Sequence, residues 1–402
     1  MDFKKVFIIS LNMVVICGQT SRDNFNFNLV SNNITSAIPL VQTDVLGSII
    51  KLLDQIVTAS TRSGPTPMKE MCKPRLIKFA DFEFRMSQNP IGFCSYCCPL
   101  HNPSQYVRLY FTNKSKAGRM EQLELRKKLP GMIRSAGIND SSNTVIFIHG
   151  FAEHGLGPSP LDIRDAYLNR DEDHNIILVD WGDLSVFPWY PQAAQSTKLV
   201  ATVVAKFIKF YSDTGELPIS KIHVVGFSLG GHIAGFIGKF FKGPTRIPRI
   251  TALDPALPLF SLDDVSERIS EADAEYVDVI HTDAGRFGFP VSIGHADFYP
   301  NGGSFIQPGC EVSSLSEQRI IQQTGICGHL RAWNLYAESV RNPKAFPATK
   351  CGIMDKGLLR ECRFITEGYM GFAADKSTTM GNFYLTTKKK KTIFQVGEGA
   401  NK

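Results

Sequence analysis

Between residues 106 and 283, short apolar runs alternate with segments of helical period. VRLYFT (107–112), KIHVVGF (221–227), RITALDP (249–255) and EYVDVIHTD (275–283) read as strands, and TVIFIHGF (144–151) and NIILVDW (175–181) are apolar runs of similar length. STKLVATVVAKFIKFY (196–211) repeats its apolar positions at helical spacing, and a second helix is expected directly after Ser228. Apolar strands alternating with helices predict an α/β fold with a mostly parallel central sheet and helices on both faces. Upstream the texture differs. Residues 19–60 are rich in Asn, Ser and Thr and hold one amphipathic stretch, in which Val45, Ile49, Leu52, Leu53 and Ile56 share a helical face. Residues 61–105 carry prolines and a cysteine cluster and read as loop, and the tail opens with four lysines from Lys388. No internal repeat is found.

Composition narrows the class. The chain has 402 residues, 43% of them apolar and 20% charged, which is ordinary globular material. A net charge of +6 is mild at this length; with no zinc-spaced Cys/His set and no basic helix with interleaved aromatics, nucleic acid is not expected as a partner. Lys4 and Lys5 precede an apolar run from Val6 to Cys17, followed by small and polar residues, the pattern of a secretory signal peptide. That run is shorter than the roughly 20 residues needed to span a bilayer. A secreted, extracellular protein is expected. Of nine cysteines, Cys17 leaves with the signal; the even set of eight predicts up to four disulfides. Pairing among Cys72, Cys94, Cys97 and Cys98 stays open. Sequons at Asn33, Asn113 and Asn139 permit glycosylation where exposed. The expected division is a signal peptide (1–18), an N-terminal extension, partly disordered (19–105), a hydrolase domain (106–387) and a basic C-terminal tail (388–402).

The chemistry enters at VVGFSLGGHIAG, where an apolar strand runs into Gly226-Phe227-Ser228-Leu229-Gly230 and then a helix. A serine at such a corner needs small neighbours, which Gly226 and Gly230 supply, and the turn presents its hydroxyl as a nucleophile. The helix aims free N–H groups at the site, so the Leu229 amide is a candidate oxyanion donor. FIHGF (147–151) is the kind of loop that supplies a second donor, the Phe151 amide. Asp254 ends the next strand and is favoured as the orienting acid, with Asp278 and Asp283 as rivals. The base comes from His232, His281, His295 or His329. His149 precedes the serine and does not fit the order serine, acid, histidine.

The motifs IHGF, VDW, GFSLGGH, LDPA, VDVIHTD, GHADFYPNGG and CGHLRAW follow one another in the order of a known family. From about Tyr106 to Leu385 the chain resembles the secreted pancreatic lipase-like family of α/β-hydrolases, which includes lipases and phospholipases of the A1 type. The resemblance implies an α/β-hydrolase fold, Ser228 as nucleophile, Asp254 as triad acid, His329 as base, and Phe151 and Leu229 as oxyanion amides. It also implies that a disulfide between Cys310 and Cys327 closes a lid; Cys351 and Cys362 close a second short loop.

The departures set the finer expectations. Only 16 residues, EVSSLSEQRIIQQTGI, lie between Cys310 and Cys327, a short and rather polar lid. The stretch from His281 to His295 is short too, and shortened versions of both accompany phospholipase activity in the family. No β-sandwich domain follows before Lys402, so no colipase is expected. Near the family's calcium site Arg268 and Asp273 match, but Val265 and Ser270 stand where acidic ligands belong, so no metal is expected. The extension is a pro-segment, a partner-binding arm or a variable terminus. The resulting expectation is a secreted serine hydrolase of lipid acyl esters, needing no cofactor and working at a membrane or micelle surface. Two other readings stand beside it: a catalytically silent lipid-binding or yolk-type storage protein, although such relatives lose the serine, and an active esterase for small soluble esters rather than lipid.

Overall fold

The computed structural model describes residues 68–79, 82–95, 97–310, 326–350 and 367–388. The expected signal peptide, the amphipathic stretch at 45–56, the Asn33 sequon, the segment between Cys310 and Cys327, the expected Cys351–Cys362 pair and most of the basic tail lie outside them.

Eleven of the described strands form one sheet. Its centre is β8 (His174–Asp180), β7 (Asn143–Ile148), β9 (Ile222–Phe227), β10 (Arg249–Leu253), β11 (Tyr276–Ile280), β12 (Ala296–Pro300) and β15 (Gly381–Leu385), all parallel in that spatial order. Antiparallel strands finish both edges: β5 (Arg108–Thr112) and β6 (Glu121–Leu123) beyond β8, and β13 (Pro347–Lys350) and β14 (Gly368–Tyr369) beyond β15.

Four long helices cover the sheet: α1 (Pro158–Leu168), α2 (Tyr190–Asp213), α3 (Leu229–Phe240) and α4 (Ile326–Arg341). Successive strand residues point to opposite faces, so each strand feeds two cores. Ile146, Ile148, Val224 and Ile250 join the core under α2 and α3, while Val145, Phe147, Val225 and Phe227 join the one under α1 and α4. Burial on both faces is why these strands read as continuous apolar runs rather than alternating ones. The order reverses around β7: α1 leads to β8 on one side, and α2 leads back to β9 on the other. The carboxyl ends of β7 and β9, where IHGF and GFSLG sit, therefore meet at the point where a doubly wound sheet opens a crevice.

Residues 61–105 read as loop in sequence, but the described part holds a hairpin, β1 (Arg75–Phe79) paired with β2 (Phe82–Met86). Short β3 (Ile91–Gly92) and β4 (Cys98–Pro99) follow, and disulfides Cys72–Cys98 and Cys94–Cys97 tie the segment together. An isolated two-stranded hairpin is marginal in water. This one is anchored to the body, and those anchors are invisible in the local sequence. The helix read at 196–211 starts earlier, at Tyr190, with Pro191 in its first turn where a missing N–H costs nothing. No helix among the described residues is long and apolar enough to cross a membrane.

Candidate active site

Ser228 sits between β9 and α3 with φ 55 and ψ −120, a positive φ that a non-glycine residue adopts at a cost. The corner holds it there. Its N–H donates to Leu253 O at 2.9 Å, and its carbonyl accepts from the Gly231 N–H at 3.0 Å. The two flanking glycines are sterically required. A Cβ on Gly226 would lie 2.1 Å from Gly230 O, and one on Gly230 would lie 2.2 Å from Ile148 O. The second contact shows how tightly the start of α3 packs against the end of β7. Leu229, the first residue of α3, is fully buried. Phe151 follows β7 and packs its ring edge-on against Tyr190, centroids 5.2 Å apart.

Asp254 directly follows β10, with φ 44. Its N–H donates to Ile280 O at 2.7 Å, and Oδ1 accepts from the N–H groups of Thr282 (2.8 Å) and Asp283 (3.1 Å). Oδ2 lies 2.6 Å from Nδ1 of His329. Both side chains are buried, Asp254 fully. With Nδ1–H donated to the carboxylate, neutral His329 keeps Nε2 free to take a proton. The rings of Phe227 and Phe287 flank the imidazole at 4.8 and 5.8 Å. Phe227 is the residue before Ser228, so His329 packs directly on the corner. His329, expected ahead of its helix, lies inside the first turn of α4. The Cys310–Cys327 disulfide forms two residues before it.

The rival residues have other partners. Asp278 takes two bonds from the Arg249 guanidinium (2.8 and 3.0 Å) and one from Thr251. His232 bonds Ala256 O at 2.7 Å, accepts from the Ile269 N–H and stacks on Phe260, and burial pushes its pKa down to about 3. His281 is held by Phe289 O and Asp297, and His295 accepts from the Val277 N–H. His149 is buried at the end of β7, where Nδ1 lies 2.8 Å from Gly150 O and Nε2 accepts from the Trp181 N–H. Where the sequence falls short of the family's calcium ligands, Arg268 donates to the carbonyls of Ser261, Leu262 and Ile269, and Asp273 pairs with Lys239.

Three features here escaped the sequence reading. Thr282 and Asp283 support Asp254 through their backbone, which no side-chain pattern reveals. Gly288 lies against the same carboxylate, since a Cβ there would meet Asp254 Oδ1 at 2.3 Å. Asp283 is fully buried, and its carboxyl group lies beside Asp254 with no side chain bonded to it among the described residues. Burial first, then the Asp254 charge, push its pKa up to about 7, against the pull of His329, Arg286 and the Phe287 N–H.

A family model described as Lipase matches residues 99–393. Relatives include the lipoprotein lipase of Bos taurus, 34% identical over 285 residues that cover 65% of this chain and 58% of that protein. The hepatic triacylglycerol lipase of Mus musculus is 33% identical over 310 residues, 72% of this chain and 59% of its own. The pancreatic triacylglycerol lipase of Cavia porcellus is 36% identical over 284 residues, 64% and 59% respectively. The chain thus spans under two thirds of the length of these relatives.

Proposed function

The chain belongs to the lipase family, and on that premise we propose that it is a secreted serine hydrolase cleaving acyl esters of lipids. The observation that carries the reading is the 2.6 Å bond between Asp254 and His329, formed beside a serine held at positive φ on the strand–helix corner. Ser228 Oγ attacks the ester carbonyl while His329 Nε2 takes its proton. Asp254 fixes the imidazole tautomer and stabilises the imidazolium. The amides of Phe151 and Leu229 hold the oxyanion, each such donor being worth about 2.7–4 kcal/mol. His329 then protonates the departing alcohol, and water releases the acyl group by the same route. No step calls on a cofactor.

For the substrate we favour a phospholipid or another polar lipid, cleaved in the manner of a phospholipase A1 at a membrane or micelle surface without colipase. The support is the 16-residue segment between the bonded Cys310 and Cys327. Its few large apolar residues offer little area for anchoring on oil, at about 25 cal/mol per Å² buried, and Glu311, Glu317 and Arg319 tolerate a polar head group. The names of the relatives point instead to triacylglycerol and lipoprotein. Initial rates on phosphatidylcholine vesicles and triolein emulsions at matched interfacial area decide between them. Faster phosphatidylcholine cleavage is expected. A triolein preference overturns the head-group reading, and no turnover of either lipid or of a nitrophenyl ester overturns the hydrolase reading.

A further inference from the structure

The β1–β2 hairpin lies upstream of residue 99, where the family match begins, yet it reaches the loop after β7. The Arg85 N–H donates to Ala152 O at 2.8 Å, and Arg85 O accepts from the Phe187 N–H at 2.8 Å. Its guanidinium bonds Asp183 and reaches Asp180 at 3.4 Å, both shared with Arg108. Phe84 packs edge-on to Phe187 at 5.7 Å, and Glu83 lies 3.2 Å from Nε2 of His154.

These anchors converge on one peptide plane. The N–H of Phe151 and the carbonyl of Gly150 belong to the same rigid unit. Gly150 O accepts from Nδ1–H of buried His149, whose Nε2 in turn accepts from the N–H of Trp181, the residue that follows Asp180. Asp180 is in turn engaged by Arg85 and Arg108. On the other side of Phe151, Ala152 adopts φ 62. A non-glycine residue stays there only when its surroundings over-determine it. Here Ala152 N–H donates to Ser185 O at 2.8 Å, and its carbonyl takes the Arg85 N–H.

We propose that Arg85 is a positioning residue of the oxyanion hole: with β2 it fixes the Gly150–Phe151 peptide, its side chain from one side through Asp180, the Trp181 N–H that follows it and His149, and its backbone N–H from the other through Ala152. This rests on the serine-hydrolase reading above, in which the Phe151 N–H holds the oxyanion. It gives part of the N-terminal extension a role in the chemistry. Arg85 touches no substrate, so its loss acts on the step that needs the aligned amide and leaves binding alone.

The test uses the full chain with Arg85→Met, which keeps the stem and the backbone bond to Ala152 and removes the guanidinium's hold on Asp180 and Asp183, and Arg85→Lys as the conservative rescue. Small misplacements of aligned groups cost up to about 100-fold, so Arg85→Met is expected to lose roughly 10–100-fold in kcat on a short-chain nitrophenyl ester with KM within about twofold. The inhibition constant of an alkylboronic acid, whose tetrahedral adduct occupies the hole, rises by the same factor. Amide hydrogen exchange quickens in residues 150–157 and not in β9, and Arg85→Lys recovers part of each change. If Arg85→Met does not fold because Asp183 has lost a partner, the double variant Arg85→Met/Asp183→Asn removes that charge and carries the same readouts. Wild-type kcat, boronate affinity and exchange in a folded Arg85→Met or in the double variant overturn the proposal, as does faster exchange spread evenly through the sheet. A wild-type protein that neither turns over the ester nor binds the boronate overturns the serine-hydrolase reading beneath it.

Discussion

Replacing Asp283 by Asn should become steadily more favourable to stability as the pH rises from 4.5 to 8. The carboxyl is fully buried beside Asp254, and burial and the Asp254 charge push its pKa up to about 7. In the unfolded chain the same group titrates near about 3.9. The sign follows from proton counting. Below about pH 4 both states carry the proton, and the group contributes nothing to pH dependence. Between about pH 4 and 7 the unfolded chain releases its proton while the native state retains it, so native stability falls as the pH rises. Above about pH 7 both are ionised and the loss is complete. A separation of about three pH units, at about 1.36 kcal/mol each, sets that loss at no more than about 4 kcal/mol. Asn has no proton to release. The constant cost of burying its amide cancels when two pH values are compared. The assay is urea unfolding of both proteins at pH 4.5 and pH 8. The stability of Asp283→Asn relative to wild type should be about 2–4 kcal/mol more favourable at pH 8 than at pH 4.5. Turnover at pH 8 should stay within about threefold, because the support Asp283 gives Asp254 comes from its backbone N–H. A stability difference independent of pH would refute the reasoning.

One further substitution probes the Asp254 carboxylate, and a mapping experiment probes the packing elsewhere. Gly288→Ala places a methyl group 2.3 Å from Asp254 Oδ1; it should displace the acid, cut kcat by about tenfold or more with KM little changed, and fail as a prediction if kcat stays at the wild-type level. Asn139 is exposed, whereas Asn113 is buried with Nδ2 donated to Gly137 O at 3.0 Å; secreted protein should therefore carry glycan at Asn139 and none at Asn113 by peptide mapping, and glycan at Asn113 would contradict the packing.

The central sheet and the corner at Ser228 are legible because their signals are local. An apolar strand, two glycines flanking a serine and a helix follow one another in a dozen residues. Strands buried on both faces announce themselves as apolar runs, as Val145–Ile148 and Ile176–Val179 do. What lies far apart in sequence is harder to read. His329 comes 75 residues after Asp254 and meets it only through the sheet order, so the residues alone left four histidines open and the family resemblance chose among them. Edge strands such as Pro347–Lys350 alternate little and are too short to signal. The hairpin at 75–86 was hidden because it is anchored by Ala152, Asp180, Asp183 and Phe187, about 70 to 100 residues downstream of Arg85. Backbone support, as at Thr282 and Gly288, leaves no side-chain signature at all.

The central claim is that Ser228 is the nucleophile, and covalent labelling tests it most directly. Purified protein treated with a fluorophosphonate should gain one adduct per chain, mapped by mass spectrometry to the peptide bearing Ser228, with ester hydrolysis lost in step. Ser228→Ala should fold as the wild type does, take no label and lose about 10⁴–10⁶-fold in kcat. An adduct on any other residue, or near-normal turnover by Ser228→Ala, would contradict the account.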